Sequence, residues 1–370
     1  MNAHLSLDEG PMAWTDRRIL DLFGIALPIV QAPMANFGTP EMAIGAALAG
    51  GLGSLACASL NADQIRAATT AIRAAASRPI NLNFFCHTPP AEDPTREATW
   101  RARLAPYYRE AGLDPATTVP SVSRLPFDDT ARALVEELRP EVVSFHFGLP
   151  DPRLVARVKA TGAKVMSSAT TVAEARWLEA HGCDAVIAMG VEAGGHRGNF
   201  LSHDMARQVG TFALVPQIAD AVKVPVIAAG GIGDGRGIAA ALALGASAVQ
   251  IGTAYLFSPE AKLSAVHARA LATATDEDTE VTNVFTGRPA RGIVTRLMRE
   301  IGPLSPDAPA FPQASRALAP LKTKAEAAGV GDFSNLWSGQ AARLAKHLPA
   351  KDLTLALAED ALARIASLSA

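Results

Sequence analysis

Eight short apolar runs constrain this chain more than any other feature of its sequence. They are Pro28–Met34, Leu52–Ala58, Ile80–Cys86, Val142–Gly148, Lys164–Thr170, Ala185–Gly190, Pro225–Gly231 and Ala248–Thr253. Segments of helical period, such as Thr171–Ala180 and Gly237–Leu244, separate most of them. Strands that are apolar along their whole length, and that alternate with helices, belong to a parallel sheet covered by helices. Eight such units without a break in order predict an α/β fold of the (β/α)8 (TIM) barrel type. Aromatic residues are only 5% of the chain although hydrophobic ones are 49%, so the interior must be built mainly from Ala, Val, Leu and Ile.

Two regions interrupt the alternation. Residues 88–128 are rich in proline and charge, include a short helix around Tyr107 and Tyr108, and read as an insertion after the third strand. Residues 276–345 carry Pro303, Pro306, Pro309 and Pro312 and read as a long loop over the barrel mouth, followed by a terminal amphipathic helix over 351–366. The expected organisation is a barrel over 1–275 and a C-terminal extension over 276–370 packed on it. Met42–Leu60 and Gly237–Ser258 are uncharged enough to suggest membrane spans, but each reads better as a helix followed by a buried strand. The formal net charge of −2, with basic and acidic residues mixed along the chain, predicts neither a nucleic-acid partner nor membrane attachment. Cys57, Cys86 and Cys183 are far apart and lack C-x-x-C spacing, so neither a disulfide framework nor a metal site is expected. Met1–Pro11 shows no leader pattern. The expectation is a cytoplasmic protein, monomeric or homodimeric.

In such a barrel, ligands sit where the carboxyl ends of the strands converge. Those ends supply Gln31, Pro33 and Met34; Asn83 and His87; His146; Ser167 and Ser168; and, beyond the sixth strand, Val191-Glu-Ala-Gly-Gly-His-Arg-Gly198. Paired glycines there admit a flat or anionic ligand close to the backbone, and His196 and Arg197 follow at once. The turns at Gly230-Gly231 and Gly252-Thr253, each followed by a helix, predict an anion site of backbone N–H groups. Gly235-Arg-Gly-Ile-Ala-Ala240 matches a loose dinucleotide pattern, but no acidic residue follows about 20 positions on. His146 is read as functional, because it ends a strand and precedes a glycine; the plainer reading is a core histidine. His196 suits either a substrate pocket or a loop hydrogen bond. Glu192 and Arg197 are expected to pair with each other or with neighbouring chain segments. Tyr107, Tyr108 and Trp337 suit a substrate pocket or the anchoring of long loops.

Gln31-Ala-Pro-Met34, Ser144-Phe-His-Phe-Gly-Leu-Pro150, Glu192-Ala-Gly-Gly-His-Arg-Gly198, Ala229-Gly-Gly-Ile232, Gln250-Ile-Gly-Thr253 and Trp337-Ser-Gly-Gln340 together resemble the motifs of the nitronate monooxygenases, FMN-dependent barrels. The resemblance implies that Met34 and Asn83 touch FMN, that Gly194 and Gly195 lie along it, and that Gly231, Gln250, Ile251, Gly252 and Thr253 hold its phosphate. It implies His146 as catalytic base, with His196, Tyr107 and Trp337 as substrate-pocket candidates. Met189 departs from the family pattern, which usually has Gln there; a thioether cannot donate the amide's hydrogen bond. The implied activity is oxidation of alkyl nitronates, such as propionate 3-nitronate, with O2 to a carbonyl product and nitrite. Alternatives are an NADH-dependent quinone or enoyl-thioester reductase on the same barrel, a flavin-free phosphate-ligand barrel, and a non-catalytic flavin-binding protein.

Overall fold

The structure, a computed structural model, describes residues 14–117 and 124–369. The stretch Met1–Pro11 and residues 118–123 of the 88–128 insertion lie outside the described residues. All eight apolar runs are strands: β1 Ile29–Gln31, β2 Gly53–Ala56, β3 Ile80–Phe85, β4 Val142–His146, β5 Lys164–Ala169, β6 Ala185–Met189, β8 Val226–Ala229 and β9 Ala248–Ile251. Each pairs in parallel with its neighbour in the order β1-β9-β8-β6-β5-β4-β3-β2, and a parallel bridge from Val30 to Leu52 joins the two ends. The result is a closed (β/α)8 barrel.

Two apolar layers hold it. Val30, Leu52, Met166, Ile187 and Ile227 point inward and share a core with Ile19, Leu20 and Phe23 of the helix Arg18–Phe23. Alternate residues point outward against the helices, for example Ile29, Leu82, Val143, Val165, Val249 and Ile251. Local capping signals start the surrounding helices. Thr39 caps Pro40–Leu48, and Asn61 with Gln64 forms a capping box on Ala62–Ala75. The two uncharged stretches are a helix and a strand each: Pro40–Leu48 with β2, and Gly235–Ala243 with β9. Among the described residues, no helix is long and apolar enough to cross a membrane.

Three features differ from the sequence reading. The terminal helix Ala350–Ser369 packs against Gly235–Ala243 and Pro40–Leu48, the place of the eighth barrel helix, so a boundary at 275 cuts through the barrel. Amphipathic periodicity shows that a helix has a buried face but not what covers it. Residues 276–345 are more ordered than a loop. They contain the antiparallel pair β10 Thr279–Thr282 and β11 Ala290–Ile293, to which the two-residue β7 Gly195–His196 adds, and the helices Arg296–Ile301 and Ala314–Ala327. The insertion is not an independent excursion either. Its helix Pro94–Glu110 packs on Ala314–Ala327, where Trp100 Nε1 donates to the Ala314 carbonyl (3.2 Å) and the Tyr108 hydroxyl to the Ala317 carbonyl (2.6 Å). Insertion and extension thus share a second core at the mouth of the barrel.

Candidate functional site

One cavity opens at the carboxyl ends of the strands, where ligands bind in barrels of this kind. Met34, Asn83, His146, Gly194, Gly195, His196, Gly231, Gln250, Gly252, Thr253 and Trp337 all line it. Two expected residues do not. Ile251 points outward into the core between strands and helices, because neighbours along a strand face opposite ways and Gln250 takes the inward position. Tyr107 is buried in the second core, edge-on to Phe333 at 5.4 Å, so it anchors the insertion. Met189 also lines the cavity, at its base.

His146 is fixed at both ring nitrogens. Nε2 lies 3.1 Å from the His196 carbonyl oxygen and Nδ1 3.0 Å from the Ser168 hydroxyl. A carbonyl only accepts, so Nε2 carries the proton, and Nδ1 accepts from Ser168. Burial, opposed in part by the hydrogen bond to the His196 carbonyl, pushes the imidazolium pKa down to about 3. The ring is therefore neutral at neutral pH. Gly198 makes this arrangement possible: a Cβ there would lie 2.8 Å from Ser168 Cβ and 3.0 Å from His146 Cε1. His196 is held by Thr286, its Nε2 2.9 Å from Oγ1, and meets Trp337 edge-on at 5.5 Å. Burial also drives its pKa well below the ordinary histidine value.

Arg197 and Glu192 do not pair with each other. The fully buried Arg197 guanidinium donates to the carbonyls of Gly190 (2.7 Å) and Met189 (2.9 Å) and to Gln208 Oε1 (2.9 Å). It ties the end of β6 to the chain that follows. Glu192 accepts from the Thr211 N–H and hydroxyl, both at 2.9 Å, and so anchors the start of the helix Thr211–Ala221. Both are architectural.

Whether these residues suit a flavin can be tested on two of them. Gln250 Oε1 is buried with no hydrogen-bond partner in the protein, and its residue lines the cavity. An orphaned acceptor in such a place is satisfied by a ligand donor. Gly195 has φ +74°, and a Cβ built on it meets nothing within 4 Å, so the backbone itself forms an open wall. Both fit a flat heterocycle lying against the strand ends. The anion site is narrower than the sequence suggested. Asp234 caps the helix Gly235–Ala243, accepting from the N–H groups of Arg236 and Gly237. No such carboxylate caps the turn at Gly252, and Thr253 Oγ1, which accepts from the Gly339 N–H at 2.9 Å, keeps its own proton to donate.

Sequence reading passed over several wall residues. Phe85, Ser338 and Gly339 line the cavity, as does Arg124 from the insertion. Phe311 stands behind them, 5.3 Å from the His196 ring. Phe85 continues the inward face of β3 two residues beyond Asn83. Ser338 and Gly339 lie within Trp337-Ser-Gly-Gln340, whereas Arg124 and Phe311 belong to no element whose period points inward.

The family profile of the nitronate monooxygenases matches residues 16–360. The chain is 43% identical over 346 residues to the nitronate monooxygenase of Pseudomonas aeruginosa, covering 93% of this chain and 98% of that one. It is 41% identical over 343 residues to that of Paraburkholderia phytofirmans, covering 92% and 94%. Among solved structures, nitroalkane oxidase from Streptomyces ansochromogenes superposes with a TM-score of 0.86 at 39% identity, covering 95% of this chain and all of that one. FabK from Thermotoga maritima superposes with a TM-score of 0.69 at 30% identity, covering 95% and 98%. With a full-length profile and these relatives in agreement, the chain belongs to the nitronate monooxygenase family and is an oxidoreductase.

Proposed function

We propose that this chain binds FMN in the barrel mouth and oxidises alkyl nitronates with O2, two nitronates and one O2 giving two carbonyl products and two nitrites. Asn83, Gly195, Met34 and Gln250 would line the flavin's ring system, and Gly231, Gly252 and Thr253 would hold its phosphate. Bound there, the flavin supplies the electron transfer to oxygen that no side chain can provide.

The observation that carries the reading is the state of His146. An imidazole whose conjugate acid has a pKa of about 3 is a poor acceptor for a carbon-bound proton at neutral pH, since general bases work best near the operating pH. A substrate that arrives already deprotonated does not need one. His146 then acts as a neutral group of fixed orientation beside the reacting atoms, its tautomer set by Ser168 and the His196 carbonyl. Nitronates are therefore favoured over neutral nitroalkanes. Trp337, Phe85 and the Ser338-Gly339 turn form part of the wall around the site.

The cofactor assignment is tested by heat release from the purified protein, which should yield FMN at close to one per chain. Gly195→Leu should purify largely without it, because the side chain would enter the cavity and also strain a left-handed backbone by about 1–2 kcal/mol. Gly195→Asn, which tolerates that backbone, separates strain from bulk. A Gly195→Leu protein with full FMN content would show that the flavin lies elsewhere.

A further inference from the structure

The cavity wall carries positive charge with no ion-pair partner among the described residues; Glu192, a carboxylate in the same wall, is engaged by Thr211. Arg124 reaches the cavity wall from the insertion, its guanidinium carbon 6.0 Å from the centre of the Phe311 ring. That ring lies 5.3 Å from His196 and 4.9 Å from His87. Among the described residues, no hydrogen bond or ion pair holds the Arg124 guanidinium, and desolvation alone pulls its pKa down. Arg288, nearby, is by contrast pinned: it donates to the Asn199 carbonyl and lies 3.9 Å over the face of Phe147. Both cations help to depress the pKa values of His87 and His196, which records their closeness to the site. The carboxylate that Arg288 feels, Glu174, is already engaged by the N–H groups of Thr170, Phe200 and Leu201 and by the Thr170 hydroxyl.

A desolvated cation is costly to keep unless an anion meets it. Arg124 sits at the wall of a ligand cavity, has no hydrogen-bond or ion-pair partner for its guanidinium among the described residues, and offers the planar fork that matches a carboxylate. We propose that Arg124 is a specificity-determining residue: it binds a carboxylate at the end of the substrate remote from the reacting carbon, so that carboxylate-bearing nitronates are preferred over purely alkyl ones. The proposal rests on the nitronate reading above. It also gives the insertion a task beyond covering the mouth.

Arg124→Gln and Arg124→Lys in the flavin-loaded enzyme test it, with propionate 3-nitronate and propane-1-nitronate compared. For Arg124→Gln, kcat/KM on propionate 3-nitronate should fall about 10- to 100-fold, mostly through KM, and by less than about threefold on propane-1-nitronate. Lysine should restore part of the loss, having the charge without the fork. The thermal midpoint should stay level or rise, because a half-buried charge without an ion-pair partner has been removed. Equal losses on both substrates would assign Arg124 to the nitronate group or to packing, and would overturn the proposal. If the wild-type enzyme turns over neither substrate, the nitronate reading has failed, and binding decides on Arg124. Quenching of tryptophan fluorescence by 3-nitropropionate, weakened selectively over 1-nitropropane in Arg124→Gln, would sustain the carboxylate site; unchanged affinity for both would overturn it.

Discussion

His146→Asn is expected to leave the already slow turnover of neutral nitroalkanes nearly unchanged, because both ring nitrogens are engaged within the protein. That is far short of the roughly 10²- to 10⁴-fold loss that follows removal of a working general base. Pre-formed nitronates should lose about 3- to 10-fold, the cost of an orienting group that asparagine replaces only in part. The wild-type rate on neutral nitroalkanes should itself be low, since burial holds the His146 pKa near 3. For the same reason, the pH profile on nitronates should show no step near 6.5 from this residue. Asparagine keeps a donor for the His196 carbonyl and has a similar size, so FMN content should stay close to wild type. Paired steady-state assays on ethylnitronate and nitroethane measure the contrast. A loss of about 10²-fold or more confined to nitroethane would instead make His146 the general base.

Acid should destabilise this protein early. His146 and His196, half-buried in the cavity wall, and the buried His267 are neutral in the folded state; His267 is pulled down to about 4, chiefly by desolvation. Each has a folded pKa below the unfolded value of 6.5, so on acidification the unfolded chain takes up the proton first. Stability is complete above about pH 6.5 and falls as the pH drops toward the folded pKa values. Each such histidine contributes about 1.4 kcal/mol per pH unit within that window, so several kcal/mol should be gone by about pH 4.5. Urea unfolding between pH 7.5 and 4.5 measures the slope. His267→Gln, whose amide can still donate to the Trp337 carbonyl, should reduce that slope by close to one proton. A midpoint flat down to pH 5 would mean that these rings gain protons without unfolding.

The barrel was legible because its strands are apolar along their whole length, a pattern that parallel strands with both faces covered produce. The strand ends were legible for the same reason, and with them His146, Asn83, Gln250 and the glycine turns. Direction was not. Ile251 sits inside a motif that faces the cavity, yet its own side chain is on the opposite face of β9. Tyr107 and Tyr108 announce a buried helix face, but only the packing on Ala314–Ala327 shows that the face looks away from the site. The three-stranded sheet was invisible, because Gly195–His196 is too short to have a period and joins β11 from almost a hundred residues away. Arg124 lay in proline-rich sequence with no pattern at all; its meaning comes from the cavity wall it joins and from the lack of an ion-pair partner among the described residues.

Turnover of nitronates with oxygen in the FMN-loaded cavity is tested most directly by oxygen uptake and nitrite release, measured together on purified protein with propionate 3-nitronate and no added nicotinamide cofactor. Rapid nitrite release with matching oxygen consumption is expected, with only marginal NADH oxidation when a quinone is supplied instead. Steady NADH oxidation by a yellow protein that releases no nitrite would contradict it.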